Sequence, residues 1–222
     1  MAIIQLKKIK KIYQQGELQI EVLKGVDLQV EKGDFLAIMG ASGSGKSTLL
    51  YIIGCLESPT SGSYHFAGSE ISKLDDDSLS KIRNERLGFI FQSFYLIPYL
   101  TLFENVLVPT IYSKKKLDFK KRAKDLLTRV GLQERLSFLP SELSGGQKQR
   151  TAIVRSLINS PDIVLADEPT GQLDSKSAAQ VMEILATLNE QGKTIILVTH
   201  DETTASYAKK RVIMKDGLIY PA

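Results

Sequence analysis

Gly40-Ala41-Ser42-Gly43-Ser44-Gly45-Lys46-Ser47-Thr48 fits the pattern G-x-x-x-x-G-K-[ST], with an extra glycine at position 43. A phosphate chain needs several backbone N–H groups pointing into one small hollow. Glycine keeps that hollow open and takes left-handed geometry without a Cβ clash. The helix that follows turns the positive end of its dipole toward the phosphates. In such a loop Lys46 lies along the β- and γ-phosphates, and the Ser47 hydroxyl binds Mg²⁺. The flanks agree. Phe35-Leu36-Ala37-Ile38-Met39 is an apolar run suited to a buried parallel strand. Thr48 to Ile53 reads as a buried helix, stopped by Gly54 and then Pro59.

Working outward, residues 3–39 read as strands. Val26, Leu28 and Val30 alternate with Asp27, Gln29 and Glu31. Tyr13 precedes the Gly16 turn and alone reads as a packing residue. Tyr64 to Gly68 reads as a short strand with His65 exposed, and Asp75-Asp76-Asp77 heads a helix. Leu87 to Phe91 is another strand, ending at Gln92. From there the period changes from strand to helix, which places a helical subdomain at 93–159. Leu102 to Ile111 reads as helix, bent or ended by Pro109. Phe119, Ala123, Leu126, Leu127 and Val130 make an apolar stripe closed by Gly131. The Lys114-Lys115-Lys116 and Lys120-Lys121-Arg122 runs read as solvated faces.

Leu143-Ser144-Gly145-Gly146-Gln147 opens a helix running to about Asn159, and two glycines at a helix start again expose N–H groups to an anion. One nucleotide needs one such cradle, so the second is expected to serve a nucleotide held by another copy. Ile163 to Ala166 runs apolar into Asp167 and Glu168. Carboxylates at the carboxyl end of a buried parallel strand stand where ligands bind in open α/β sheets. Thr194 to Thr199 is a further strand with His200 at its end. Residues 175–190 form an amphipathic helix, and a hairpin closes the chain around Asp216-Gly217.

The 222 residues make one domain, or one with a subdomain. A net charge of +4, from 29 basic and 25 acidic residues without a long basic tract, argues against a nucleic-acid partner. The single cysteine, Cys55, reads as a small core residue. The opening residues run quickly into Lys7 and Lys8, so no signal peptide is expected. No apolar run approaches the ~20 residues needed to span a bilayer.

Gly40 to Ser47, Gln92, Leu143 to Gln147, Asp167-Glu168 and His200, in this order, resemble the ATP-binding cassette (ABC) ATPases over essentially the whole chain. LSGGQ is the specific signal. Ile53-Gly54-Cys55-Leu56, Phe91 to Phe94, Glu104-Asn105-Val106 and Thr170 to Asp174 resemble the macrolide-exporter, lipoprotein-releasing and cell-division branch (MacB-, LolD- and FtsE-type). The departures are Lys148, where the family usually has glutamine, and Gln172, where it often has asparagine or alanine.

The resemblance implies an α/β fold. A P-loop NTPase (RecA-like) core with a mostly parallel sheet and an antiparallel β subdomain takes 1–92 and 160–222, and the inserted α-helical subdomain takes 93–159. It implies ATP and Mg²⁺ as ligands, with Tyr13 stacking on adenine. Gly40, Ala41, Ser42, Gly43, Ser44, Gly45, Lys46, Ser47 and Thr48 hold the phosphates. Ser47, Gln92 and Asp167 support the metal, and Glu168 is the general base. Gln92 also touches the attacking water, and His200 contacts the γ-phosphate. Ser144, Gly145, Gly146 and Gln147 complete the opposite copy's site, with Asp174 near the seam.

The implied partners are a second copy in an ATP-dependent homodimer, a membrane-spanning permease and an extracytoplasmic adaptor. The implied place is the cytoplasmic face of the plasma membrane. Alternatives are a cell-division regulator or an ABC ATPase acting on nucleic acid. A P-loop kinase or GTPase leaves LSGGQ, Glu168 and His200 without work, and a non-hydrolysing module leaves Glu168 without work.

Overall fold

A computed structural model of the chain describes residues 2–222, apart from the side chain of Gln15. Met1, where the sequence reading starts its core, lies outside the described residues. The chain opens with two long antiparallel strands, β1 (Ala2–Gln15) and β2 (Leu18–Glu31), then β3 (Phe35–Met39) and α1 (Lys46–Ile53). Next come β4 (Ser61–Phe66), β5 (Ser69–Glu70), α2 (Asp76–Arg86) and β6 (Leu87–Phe91). Three helices follow: α3 (Leu102–Leu107), α4 (Phe119–Arg129) and α5 (Gly145–Leu157). The chain ends with β7 (Ile163–Asp167), α6 (Ser175–Glu190), β8 (Thr194–Thr199), α7 (Glu202–Ala205), β9 (Lys210–Lys215) and β10 (Leu218–Pro221).

The strands form two sheets. The antiparallel one has the order β2-β1-β4-β5, and the larger one β10-β9-β3-β8-β7-β6. In the larger sheet β9, β3, β8, β7 and β6 run parallel, and β10 adds an antiparallel edge. The α/β class with a mostly parallel core and an antiparallel β sheet is therefore observed.

Strand pleating splits the core in two, because successive side chains leave opposite faces. Leu36 and Ile38 point to the face shared with Leu49, Ile52 and Ile53 of α1 and with Ile4, Leu6 and Leu23 of the antiparallel sheet. Phe35, Ala37 and Met39 point to the other face, against Ile153 and Leu157 of α5, Val181 and Leu185 of α6 and Ala205 of α7. Cys55 is buried, and burial pushes its thiol up to about 11.

A third apolar cluster joins Leu102 and Val106 of α3, Ala123 and Leu127 of α4, Leu143, and Val154 and Ile158. α5 thus faces both ways: Ile153 and Leu157 meet the sheet, and Val154 and Ile158 meet the helices. The apolar stripe read on residues 119–130 is this buried face of α4.

Three local readings are corrected. The helix read over Leu102–Ile111 ends at Leu107, and Val108–Tyr112 continues as a 3-10 turn. Pro109 has no N–H for the α-helical ladder. The basic runs are not wholly solvated. Lys115 is half-buried and its ammonium donates to Glu85 O and Asn159 O. Arg122 donates to Leu157 O and Ile158 O, so it caps the carbonyl end of α5. His65, read as exposed, is half-buried, and its Nδ1 is enclosed without a hydrogen-bond partner among the described residues.

Candidate active site

Strand register sets the site. Met39 lies beside Thr199, Val198 beside Asp167, and Phe91 beside Asp167. Four parallel strands therefore end together, and the residues after them share one edge: Gly40 onward, His200, Glu168 and Gln92.

The loop after β3 is a tight cradle. Gly40 has φ 152°, and a Cβ there would stand 2.2 Å from Met214 O. The Lys46 residue is 7 % exposed, and its ammonium donates to Gly40 O and Ala41 O at 2.9 Å each. Both partners are neutral carbonyls of its own loop. The Ser44 hydroxyl is enclosed in the same loop without a hydrogen-bond partner among the described residues. A buried cation and an unpaired buried hydroxyl in one hollow fit an anion.

Asp167 is 8 % exposed. Ser47 Oγ donates to its Oδ1 at 3.1 Å, and the Tyr51 hydroxyl donates to its Oδ2 at 3.1 Å. Burial holds its carboxyl above the usual carboxylate range, against those two hydrogen bonds, which lower it. The pair of hard oxygen donors, Ser47 and Asp167, is of the type Mg²⁺ takes, since that ion completes its shell with waters and substrate phosphates.

Glu168 sits at φ 46°, a left-handed conformation that side chains rarely adopt. Its N–H donates to Val198 O at 2.9 Å. Its Oε1 accepts from the His200 N–H at 3.1 Å and from His200 Nδ1 at 2.8 Å. Its Oε2 accepts from Thr199 Oγ1 at 3.2 Å. The carboxylate is held at both oxygens, and the His200 ring stays exposed at its side. Gln92 is exposed, and its Nε2 lies 2.8 Å from where a Cβ on Gly171 would be.

The other predicted residues lie elsewhere. Tyr13 projects from β1, donates to Glu57 Oε2, and carries the Lys11 ammonium 4.9 Å from its ring centroid. Ser144 caps α5: its Oγ accepts from Gln147 N at 3.3 Å, and Gln147 Oε1 accepts from Ser144 N at 2.9 Å. Gly146 is buried, and a Cβ there would stand 2.6 Å from Ser177 Oγ. Asp174 caps α6 through Ser177 N at 3.0 Å, and the Ser177 hydrogen bonds hold its carboxyl below the usual range. The structure thus gathers the phosphate loop, Gln92, Asp167, Glu168 and His200 at one edge. It puts Ser144 to Gln147 beside Asp174 at a second place. In the sheet, β3 and β6, on which α5 packs, stand three strand positions apart. That is about 14 Å at the usual strand spacing.

The family model described as ABC transporter matches residues 23–171. The chain belongs to the ABC transporter family. It is one of that family's ATP-binding cassettes and an ABC ATPase. It is 51% identical over 216 residues to a macrolide export ATP-binding/permease protein MacB of Bdellovibrio bacteriovorus, covering 97% of this chain and 33% of that protein. The chain therefore spans about a third of the length of such curated relatives. It is 51% identical to an ABC transporter ATP-binding protein, YvrO, of Bacillus subtilis, covering 96% of this chain and 93% of that one. Among solved structures, the ATP-binding cassette MJ0796, a dimer in a post-hydrolysis state bound to ADP and Pi, superposes with a TM-score of 0.90. It is 44% identical and covers 98% of each chain.

Three residues of the cassette's site were not singled out from sequence. Tyr51 reads as one more residue of an apolar helix, yet it stands one turn past Ser47 and so shares its face. Thr199 reads as the last residue of a strand. Gln149 is fully buried, and its amide donates to Pro169 O at 2.6 Å, tying α5 to the turn after Glu168. A polar residue in an apolar run was the available signal for Tyr51 and Thr199, whereas Gln149, set between Lys148 and Arg150, offered none.

Because burial raises the Asp167 carboxyl above its unfolded value, the folded cassette binds that proton more tightly than the unfolded chain does. The resulting penalty is absent below the unfolded pKa and fully present above the folded one, so it grows as pH rises through that window. Without nucleotide or metal, Asp167→Asn is expected to melt at a higher temperature than the parent at pH 7, with the gap closing toward pH 4. Scanning calorimetry at the two pH values checks this, and an Asn variant that melts lower at pH 7 contradicts it.

Proposed function

We propose that two copies of this cassette close head to tail over two ATP molecules and so drive a membrane-spanning permease of the efflux or lipoprotein-release kind. The observation that carries the reading is Glu168. It is a carboxylate pinned at both oxygens on the strand edge, next to the buried Asp167 and the Lys46 loop.

In this reading residues 1–92 and 160–222 form the nucleotide core, and 93–159 carry the signature helix. Tyr13 is the adenine platform. The loop Gly40 to Thr48 holds the phosphates, with Lys46 supplying positive charge. Ser47 and Asp167, with Gln92 beside them, hold Mg²⁺, which when bound neutralises charge developing on the phosphates. Glu168 orients the attacking water and takes its proton, as a general base within hydrogen-bond reach does. His200 keeps Glu168 aligned through Nδ1 and turns its other ring nitrogen toward the γ-phosphate.

Ser144, Gly145, Gly146 and Gln147 then meet the nucleotide of the other copy, with Asp174 at the seam. The dimeric state of MJ0796 agrees with that division of labour.

The permease reading has its own support. A groove of about 1050 Å³ runs beside β6, lined by Phe89, Phe91, Tyr95, Tyr112 and Arg155. Tyr112 is 80% exposed on it. Arg155 donates to Phe94 O and Tyr95 O, which ties α5 to the segment that follows Gln92 in the chain. A helix of a membrane partner pressing there would act on Gln92. Among the described residues, no helix is long and apolar enough to cross a membrane. The place we propose is the cytoplasmic face, where a cassette docked on a permease would sit, with any extracytoplasmic adaptor reached through the permease.

Glu168→Gln is expected to bind ATP but turn over at least ~10²-fold more slowly, and to run as a dimer by light scattering at saturating ATP and Mg²⁺. Normal turnover, or a monomer under those conditions, overturns the reading. Tyr112→Asp is expected to keep the ATPase rate of the isolated cassette while losing co-purification with its permease from membranes. Retained co-purification contradicts the groove assignment.

A further inference from the structure

We propose that Tyr51 is a positioning residue for the metal-binding carboxylate, fixing Asp167 through its second oxygen. This rests on the reading of Asp167 as a Mg²⁺ support. Asp167 ends β7 and is 8 % exposed. Its carboxyl group can rotate about the terminal bond, a broad torsion with little intrinsic preference.

Two hydroxyls from α1 remove that freedom. Ser47 takes Oδ1 at 3.1 Å and Tyr51 takes Oδ2 at 3.1 Å. Ser47 and Tyr51 are four residues apart on one helix, so their side chains stand on the same face. The helix that carries Lys46 and one metal-binding hydroxyl therefore also sets the angle of the carboxylate from the neighbouring strand. With both oxygens tied, the lone pairs of Oδ1 keep one direction beside Ser47. Without the phenol, Oδ2 loses its donor at a desolvated strand end, and the carboxylate turns. Outer partners that orient a metal ligand in this way are typically worth ~10–100-fold in metal affinity.

The assignment separates binding of metal from binding of nucleotide. Tyr51 touches Asp167 through its hydroxyl, and neither that atom nor Asp167 Oδ2 belongs to the phosphate cradle. Tyr51→Phe keeps the ring and removes only the hydroxyl.

The test uses the Glu168→Gln chain, so that hydrolysis does not intrude, and a fluorescent ATP analogue titrated in EDTA and then against Mg²⁺. Adding Tyr51→Phe is expected to raise the Mg²⁺ concentration for half-saturation by ~10-fold or more, while affinity in EDTA stays at the parent value. An unchanged Mg²⁺ requirement overturns the proposal. So does an equal loss with and without metal, which would mark Tyr51 as a packing residue. Asp167→Asn in the same background identifies which idea fails. If it weakens the Mg²⁺ response and Tyr51→Phe does not, only the role of Tyr51 falls. If neither does, the metal reading of Asp167 falls as well.

Discussion

Met39, Thr199, Asp167 and Phe91 finish four neighbouring parallel strands at one level, and the rest of the site depends on that register. A slip of one residue in any strand would send its edge group to the opposite face. The register is held because both faces of the sheet are covered. α1 and the antiparallel sheet lie on one face, and α5, α6 and α7 on the other. Apolar side chains on both faces leave no direction in which a strand slides without exposing core. Packing away from the edge thus fixes the geometry at it, where phosphoryl transfer asks mainly for positioning and charge.

That edge is not arranged for the stability of the empty cassette. Lys46 is buried against neutral carbonyls, Asp167 is desolvated, and Glu168 takes a left-handed backbone conformation. Each costs free energy, as strain and desolvation at functional sites commonly do. The costs are offset by the two cores and by hydrogen bonds that leave the groups nowhere else to go. Glu168 is tied to Val198, Thr199 and His200. An entering anion gives Lys46 the charged partner that the carbonyls of its own loop do not supply.

Much of this was legible in the sequence because it is local. Phe35 to Met39, Ile163 to Ala166 and Thr194 to Thr199 announce buried strands by unbroken apolar runs. The glycines and Lys46 announce the loop, and the carboxylates after Ala166 announce the edge. What escaped depends on contacts distant in the chain. Nothing near Tyr51 says that Asp167, 116 residues on, will meet its hydroxyl. Nothing in Lys115 or Arg122 says that the carbonyl end of α5 needs their charge, so a basic run looked solvated. The Leu102–Ile111 reading weighed the apolar pattern and Pro109 correctly as opponents but placed the end too late. The pairing of β1 with β4 across α1 is likewise a tertiary choice that strand patterning alone does not make.

The central claim is that one copy's Ser144 turn closes on the phosphate loop of another. The most direct test is a short thiol–thiol crosslinker applied to the Glu168→Gln chain bearing Ser42→Cys and Ser144→Cys, with native Cys55 buried out of reach. The account predicts inter-chain crosslinked dimers that form with ATP and Mg²⁺ and are absent without nucleotide. Nucleotide-bound protein that stays uncrosslinked, or that crosslinks equally without ATP, would contradict it.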